Sequence, residues 1–131
     1  DGEWAKKFLT INVINAKALG SAKKIAFSIA NSPLVKTAVA GEDPNWGRIA
    51  MGLGKSGEPV DVKKLKIKIG EYIVAENGKV SDNYDEKKLK EYMEWDAIEI
   101  EVNLKLGNDA FKCYTCDFTH DYIDINADYR N

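Results

Sequence analysis

The chain has 131 residues, with 19 Lys plus Arg against 21 Asp plus Glu, a formal charge of −2, 44% apolar residues and 31% charged ones. That size and balance suit one folded domain, or one small domain plus part of another, and argue against a disordered chain. No run reaches the roughly 18 consecutive apolar residues of a membrane helix. The basic excess of residues 1–57, eight basic against four acidic side chains, is too scattered for a nucleic-acid stripe, so neither membrane nor nucleic acid is an expected partner.

Lys7 to Asn15 alternates as a strand, with Leu9, Ile11 and Val13 on the apolar face. Ser21 is the expected N-cap of a helix whose buried positions are Ala22, Ile25, Ala26 and Ile29. Asn31-Ser32-Pro33 ends it, and Pro33 suits the first turn of a short second helix. Residues 41–48, Gly-Glu-Asp-Pro-Asn-Trp-Gly-Arg, read as a loop leading into a helix capped near Asn45 that runs to Gly54. Leu65, Ile67 and Ile69 face inward on the next strand, alternating with lysines. Glu71 to Ala75 is a further strand, and Asn77-Gly78 is a hairpin turn from which Lys79 to Ser81 pairs back. Asp85 to Met93 reads as a helix with Leu89, Tyr92 and Met93 on one face. Ala97 to Leu106 is a strand with Ile98, Ile100, Val102 and Leu104 inside, and Asp109 to Thr119 is its expected hairpin partner across a Gly107-Asn108 turn. The apolar residues of the tail 120–131 suit docking. Strands and helices mixed with hairpins indicate an α+β fold.

Few residues single themselves out for chemistry. Cys113 and Cys116 match C-x-x-C, but residues three apart on a strand point to opposite faces, which suits neither a disulfide nor one metal. No second cysteine pair exists and His120 is the lone histidine, so a zinc shell lacks ligands and no metal is expected. Two unbridged thiols suit a reducing, cytoplasmic compartment. Gly54-Lys55-Ser56 ends like a phosphate loop, but the glycine required five residues earlier is Ile49. His120 lacks a Ser or Cys partner set by spacing, and Trp4 and Trp95 read as core or interface packing. The 42–48 loop is different in kind: it joins a fixed turn, a large aromatic, a permissive glycine and Arg48, one of only two arginines. It serves equally as a rigid corner or as a site wall or subunit contact.

The stretch from Asn31 to Ile49, centred on Gly41-Glu42-Asp43-Pro44-Asn45-Trp46-Gly47-Arg48, resembles the signature of the ornithine acetyltransferase family, the bifunctional glutamate N-acetyltransferases of arginine biosynthesis. Asp1-Gly2-Glu3 resembles the start of that family's D-G-E-G-A-T-K motif. Cys116-Asp117-Phe118-Thr119, Tyr122 and Ile125-Asn126-Ala127-Asp128-Tyr129 resemble its C-terminal ending. The resemblance spans essentially the whole chain.

The resemblance implies an enzyme made as a self-cleaving precursor. The new N-terminal Thr of its β chain takes acetyl from N-acetylornithine and passes it to glutamate, and an oxyanion hole in the α chain supports the step. No cofactor is implied, although some members accept acetyl-CoA as a donor. The nucleophile lies upstream of the D-G-E motif in the family. This chain, which begins without an initiator Met, is therefore expected to be the C-terminal part of a β chain with no catalytic residue of its own. Its expected partners are an α chain and the N-terminal part of the β chain. Glu3 matches the carboxylate that contacts the substrate's amino group. Asn126 matches an Asn that helps hold the substrate, and Asn131 stands where the family's last residue is often Ser or Thr. Trp4 and Lys6 depart from the motif, which has Gly and Thr there. Residues 1–40 are expected to be the trailing strand and helix of the nucleophile-bearing domain, and residues 41–131 a small mixed-sheet roll with helices on one face. Without the larger domain the first strand's apolar face is expected to lose cover, favouring a homo-oligomer. The alternative is a non-catalytic binding or assembly module that keeps the family's C-terminal fold.

Overall fold

The apolar alternation of residues 7–15 becomes strand β1 (Lys6–Ala16), in which Leu9, Ile11 and Val13 are buried. A computed structural model describes residues 6–118 of the chain. After β1 come helices α1 (Leu19–Ala30), α2 (Pro33–Ala40) and α3 (Trp46–Gly54). Strands β2 (Lys66–Ile69), β3 (Tyr72–Glu76) and β4 (Lys79–Val80) follow, then helix α4 (Glu86–Met93) and strands β5 (Ala97–Asn103) and β6 (Asp109–Phe118). The strands form one six-stranded sheet in the order β4-β3-β2-β5-β1-β6. Only β1 and β5 run parallel; the other neighbours are antiparallel. The class is α+β with a mixed sheet, as the pattern of elements indicates.

The helices start where local chemistry lets them. Ser32 Oγ accepts from the Val35 amide and Pro33 occupies the first turn of α2. Asn45 Oδ1 accepts from the Arg48 amide, and Asp85 Oδ1 from that of Lys88, each satisfying an orphan donor. Ser21 departs from expectation. The cap of α1 is Ala18, which makes no side-chain cap bond, and Ser21 sits inside the first turn with its hydroxyl donating to Glu58 Oε1 at 2.5 Å. A tertiary acceptor outcompetes the local one.

Strand pairing is the larger correction. β6 does not return beside β5; it pairs with β1, and β1 lies between them. Leu104 N–H donates to Ile14 O, and the amides of Leu106 and Gly107 both donate to Asn15 O, so the chain after β5 climbs over the end of β1. Gly107 makes the crossing feasible, because a Cβ there would stand 2.5 Å from the Ala16 carbonyl oxygen. Asn15 and Asn103 pair through their side chains at 3.0 Å beside it.

One apolar cluster joins the inward faces of the sheet to the helices, from Ile25 and Ile29 of α1 to Leu89 and Met93 of α4. α1 lies across β1 and β6. The apolar face of β1 is therefore covered by the chain's own helices, contrary to the expectation that it loses cover. What stays exposed are rings on the opposite face, Phe8 and Tyr114. No helix among the described residues is long and apolar enough to cross a membrane.

Candidate functional site

The two ends of the described chain meet at one end of the sheet. The first residue of β1, Lys6, is the register partner of Phe118, the last of β6. The described residues thus begin and end side by side on neighbouring strands. Glu3, Asn126 and Asn131, with Trp4 and His120, lie outside the described residues.

The loop after α2 reaches the same end. α2 closes with two paired bonds: Glu42 N–H donates to Val39 O at 3.0 Å and Asp43 N–H to Ala38 O at 2.8 Å. This is the bonding of a Schellman stop, in which the residue after the C-cap adopts the left-handed conformation and is usually glycine. Here Gly41 is the C-cap, with φ −84°, and Glu42 takes φ +58°. A non-glycine residue pays a conformational cost there of about 1 kcal/mol or more.

The Glu42 carboxylate meets Lys7. The Lys7 ammonium donates to Glu42 Oε2 at 3.0 Å, to the Met93 carbonyl at 3.0 Å and to the Trp95 carbonyl at 2.7 Å. Lys7 is 6% exposed, and its three donors find three acceptors. Two of those are carbonyls at the C-terminal end of α4, where a cation is favoured by the helix dipole. One side chain therefore ties the start of β1, the loop after α2 and the end of α4. Residue-type reasoning took Lys7 only as the polar start of a strand. The signal was present in the resemblance, since Lys7 stands at the final Lys of D-G-E-G-A-T-K.

The loop itself closes over the core. Beneath it a cavity of about 10 Å³ is lined by Val39, Asp43, Asn45 and Ile49 above and by Ile69, Met93 and Ile100 below. That space is too small for an amino-acid substrate, so the loop packs directly on the core. Trp46 is half-buried against the core, and Arg48 Nη1 donates to Leu34 O at 3.2 Å. Trp95 is not core, being 61% exposed with its ring 5.1 Å from that of Tyr92. The Tyr92 hydroxyl accepts from the Glu99 amide at 2.8 Å. Burial raises its pKa above the usual tyrosine value, the bond from the Glu99 amide lowers it in part, and the Glu99 carboxylate raises it. A larger groove, about 720 Å³, runs along Lys23, Phe27 and Asn31 to Lys55 and Ser56.

Cys113 is buried and Cys116 half-buried, and no disulfide joins them, as opposite strand faces require. Lys55 and Ser56 follow a helix rather than closing a strand-to-helix phosphate loop. Among the described residues no group of three or more His, Cys, Asp and Glu side chains gathers.

Comparison with known proteins places the chain in a family. The ArgJ family model matches residues 1–131. The chain is 52% identical over its full length to the arginine biosynthesis bifunctional protein ArgJ of Gluconobacter oxydans, covering 31% of that protein. It is 51% identical to the protein of the same name from Brucella melitensis, covering 32%. The chain thus spans about a third of the curated relatives it matches. The crystal structure of arginine biosynthesis bifunctional protein ArgJ from Bacillus halodurans superposes with a TM-score of 0.84 at 38% identity, over 98% of this chain and 61% of that one. The signature loop, the family match over residues 1–131 and the shared fold lead to one conclusion: the chain belongs to the ArgJ family.

Proposed function

We propose that this chain is the C-terminal, substrate-holding part of an acyltransferase that moves acetyl from N-acetylornithine to glutamate. The reading is supported by the ArgJ family match over residues 1–131, with the signature loop held in place by the Lys7–Glu42 contact. The nucleophile is a Thr at the head of an upstream segment, and the oxyanion hole belongs to an α chain. The Thr hydroxyl attacks the acetyl carbonyl of N-acetylornithine, ornithine leaves with a proton on its amine, and the glutamate amine then takes the acetyl from the threonine ester. The Glu3 carboxylate pairs with the free ammonium of N-acetylornithine, and the amide groups of Asn126 and Asn131 help to hold the substrate. No resident cofactor is needed, and acetyl-CoA would enter only as a substitute donor. The outer sheet face, where Phe8 and Tyr114 stay exposed, is the surface on which the upstream part or a second copy would seat. Two cysteines without a disulfide suit a cytoplasmic setting.

A non-catalytic binding or assembly module is the second reading. It is favoured by one observation: Trp4 and Lys6 flank the Glu3 position where the family motif has Gly and Thr. Co-expression with a matching upstream segment separates the two. The catalytic reading expects no transfer by this chain alone and glutamate acetylation by the assembled pair. An assembled pair that forms but transfers nothing supports the module instead.

A further inference from the structure

A single exposed ring on a protein surface needs no explanation. Trp95 is not single: it is one of three rings set around a recess. Tyr72 of β3, Tyr92 of α4 and Trp95 line a hollow of about 410 Å³ together with Glu71, Glu91 and Lys88. The Tyr72 and Tyr92 rings meet edge-on with centroids 6.4 Å apart. The Tyr92 and Trp95 rings are 5.1 Å apart and tilted by 52°. The walls are fixed before any ligand arrives. The Tyr92 ring lies directly on the backbone of Gly70, where a Cβ would stand 2.8 Å from two ring carbons, and its hydroxyl accepts from the Glu99 amide at 2.8 Å. The Trp95 backbone is tied at both of its polar groups: its N–H donates to Tyr92 O at 3.0 Å, and its carbonyl accepts from the buried Lys7 ammonium at 2.7 Å. Walls that need no ordering on binding lower its entropic cost.

The chemistry of the lining selects a cation. Aromatic faces carry negative charge toward a cation, and Trp is the strongest of them. Glu71 and Glu91 add two carboxylates at the same recess, against the one ammonium of Lys88. Among organic cations a guanidinium fits best. It is planar and weakly hydrated, stacks on an aromatic face and presents forked donors to carboxylates, whereas an ammonium is a compact, strongly hydrated point charge. We propose that the Tyr72-Tyr92-Trp95 recess binds a guanidinium group, stacked on the Trp95 ring with Glu71 and Glu91 as its acceptors. The group belongs to a small molecule or to an arginine side chain of a partner protein; the chemistry of recognition is the same. Lys88 opposes the ligand and tunes the site to be weak. The inference goes beyond the acyltransferase reading and stands without it.

The test titrates the chain with methylguanidinium and follows the Trp95 indole N–H and the Tyr72 and Glu91 amides by NMR. Saturable shifts confined to the recess, with a Kd of about 1–10 mM, are expected from one stacked cation and exposed ion pairs. Trp95→Ala weakens binding about threefold to fivefold and Glu91→Gln about twofold, while Lys88→Gln strengthens it about twofold. All three side chains are exposed, so the variants fold. Methylammonium, with the same charge and no plane to stack, binds at least about fivefold more weakly than methylguanidinium. A capped tripeptide with a central arginine separates the sources: binding tighter than methylguanidinium assigns a protein partner's side chain, and binding no tighter assigns a small molecule. The absence of a saturable shift up to about 50 mM overturns the inference. So does an unchanged Kd in Trp95→Ala, or methylammonium binding as well as methylguanidinium.

Discussion

Glu42 offers the sharpest test of the local energetics. Replacing it with Ala or with Gly removes the same carboxylate and the same contact to Lys7, but only Ala retains a Cβ in the left-handed conformation at φ +58°. That conformation costs a non-glycine residue about 1–2 kcal/mol. Glycine gives back about 0.4–1 kcal/mol through the greater freedom of its unfolded chain. The difference leaves Glu42→Gly more stable than Glu42→Ala by roughly 1 kcal/mol, or about 3–4 °C in Tm at this size. The ion pair cancels from the comparison. Against wild type it counts for little in stability, because the Glu42 side chain is 44% exposed and solvent screens it. Urea unfolding of the two variants side by side, followed by far-UV circular dichroism, reads the difference directly. Equal midpoints, or a more stable Ala variant, would refute the claim that Glu42 is held under strain by the loop.

Two further substitutions probe the same structure. Thr115 Oγ1 is buried with no hydrogen-bond partner among the described residues, so Thr115→Val exchanges an unmet hydroxyl for a methyl of the same shape and should stabilise by about 1 kcal/mol; a lower melting temperature would show that the hydroxyl does bond. Tyr92 has its pKa raised, first by burial, so the folded state favours the neutral phenol. Its contribution is whole below pH about 10 and is lost as pH rises through the folded value. Unfolding free energy should therefore fall above pH about 10, and Tyr92→Phe should flatten that slope; an unaltered slope between the two proteins would count against the assignment.

Much of the local structure could be read before any coordinates. The strands near residues 7–15, 65–69 and 97–103 follow from apolar alternation, and the buried sets Leu9-Ile11-Val13 and Ile98-Ile100-Val102 are those the pattern picks out. Pro33, Asn45 and Asp85 mark helix starts because each acts on its own next turn. Asn77 and Gly78 turn the β3–β4 hairpin with φ +54° and +78°, which those residue types tolerate. The site was legible only in part. A single carboxylate such as Glu3 has no pattern of its own, so its nomination came from resemblance. The 41–48 loop stood out by composition, but nothing local distinguished a wall from a corner.

The physical reason for the division is range. Periodicity, capping and turn chemistry act within a few residues, so the sequence by itself determined which segments are strands and helices, which faces they bury, and that a mixed α+β domain results. Alternation says which side of a strand is apolar but not which backbone lies beside it. β6 is indistinguishable from a hairpin partner of β5 until Gly107 is seen crossing the end of β1. Lys7 is likewise an ordinary strand lysine in sequence, because its acceptors are 35, 86 and 88 residues away. Only the tertiary structure decided that β1 lies between β5 and β6, and that a buried ammonium there joins the strand's start to the signature loop.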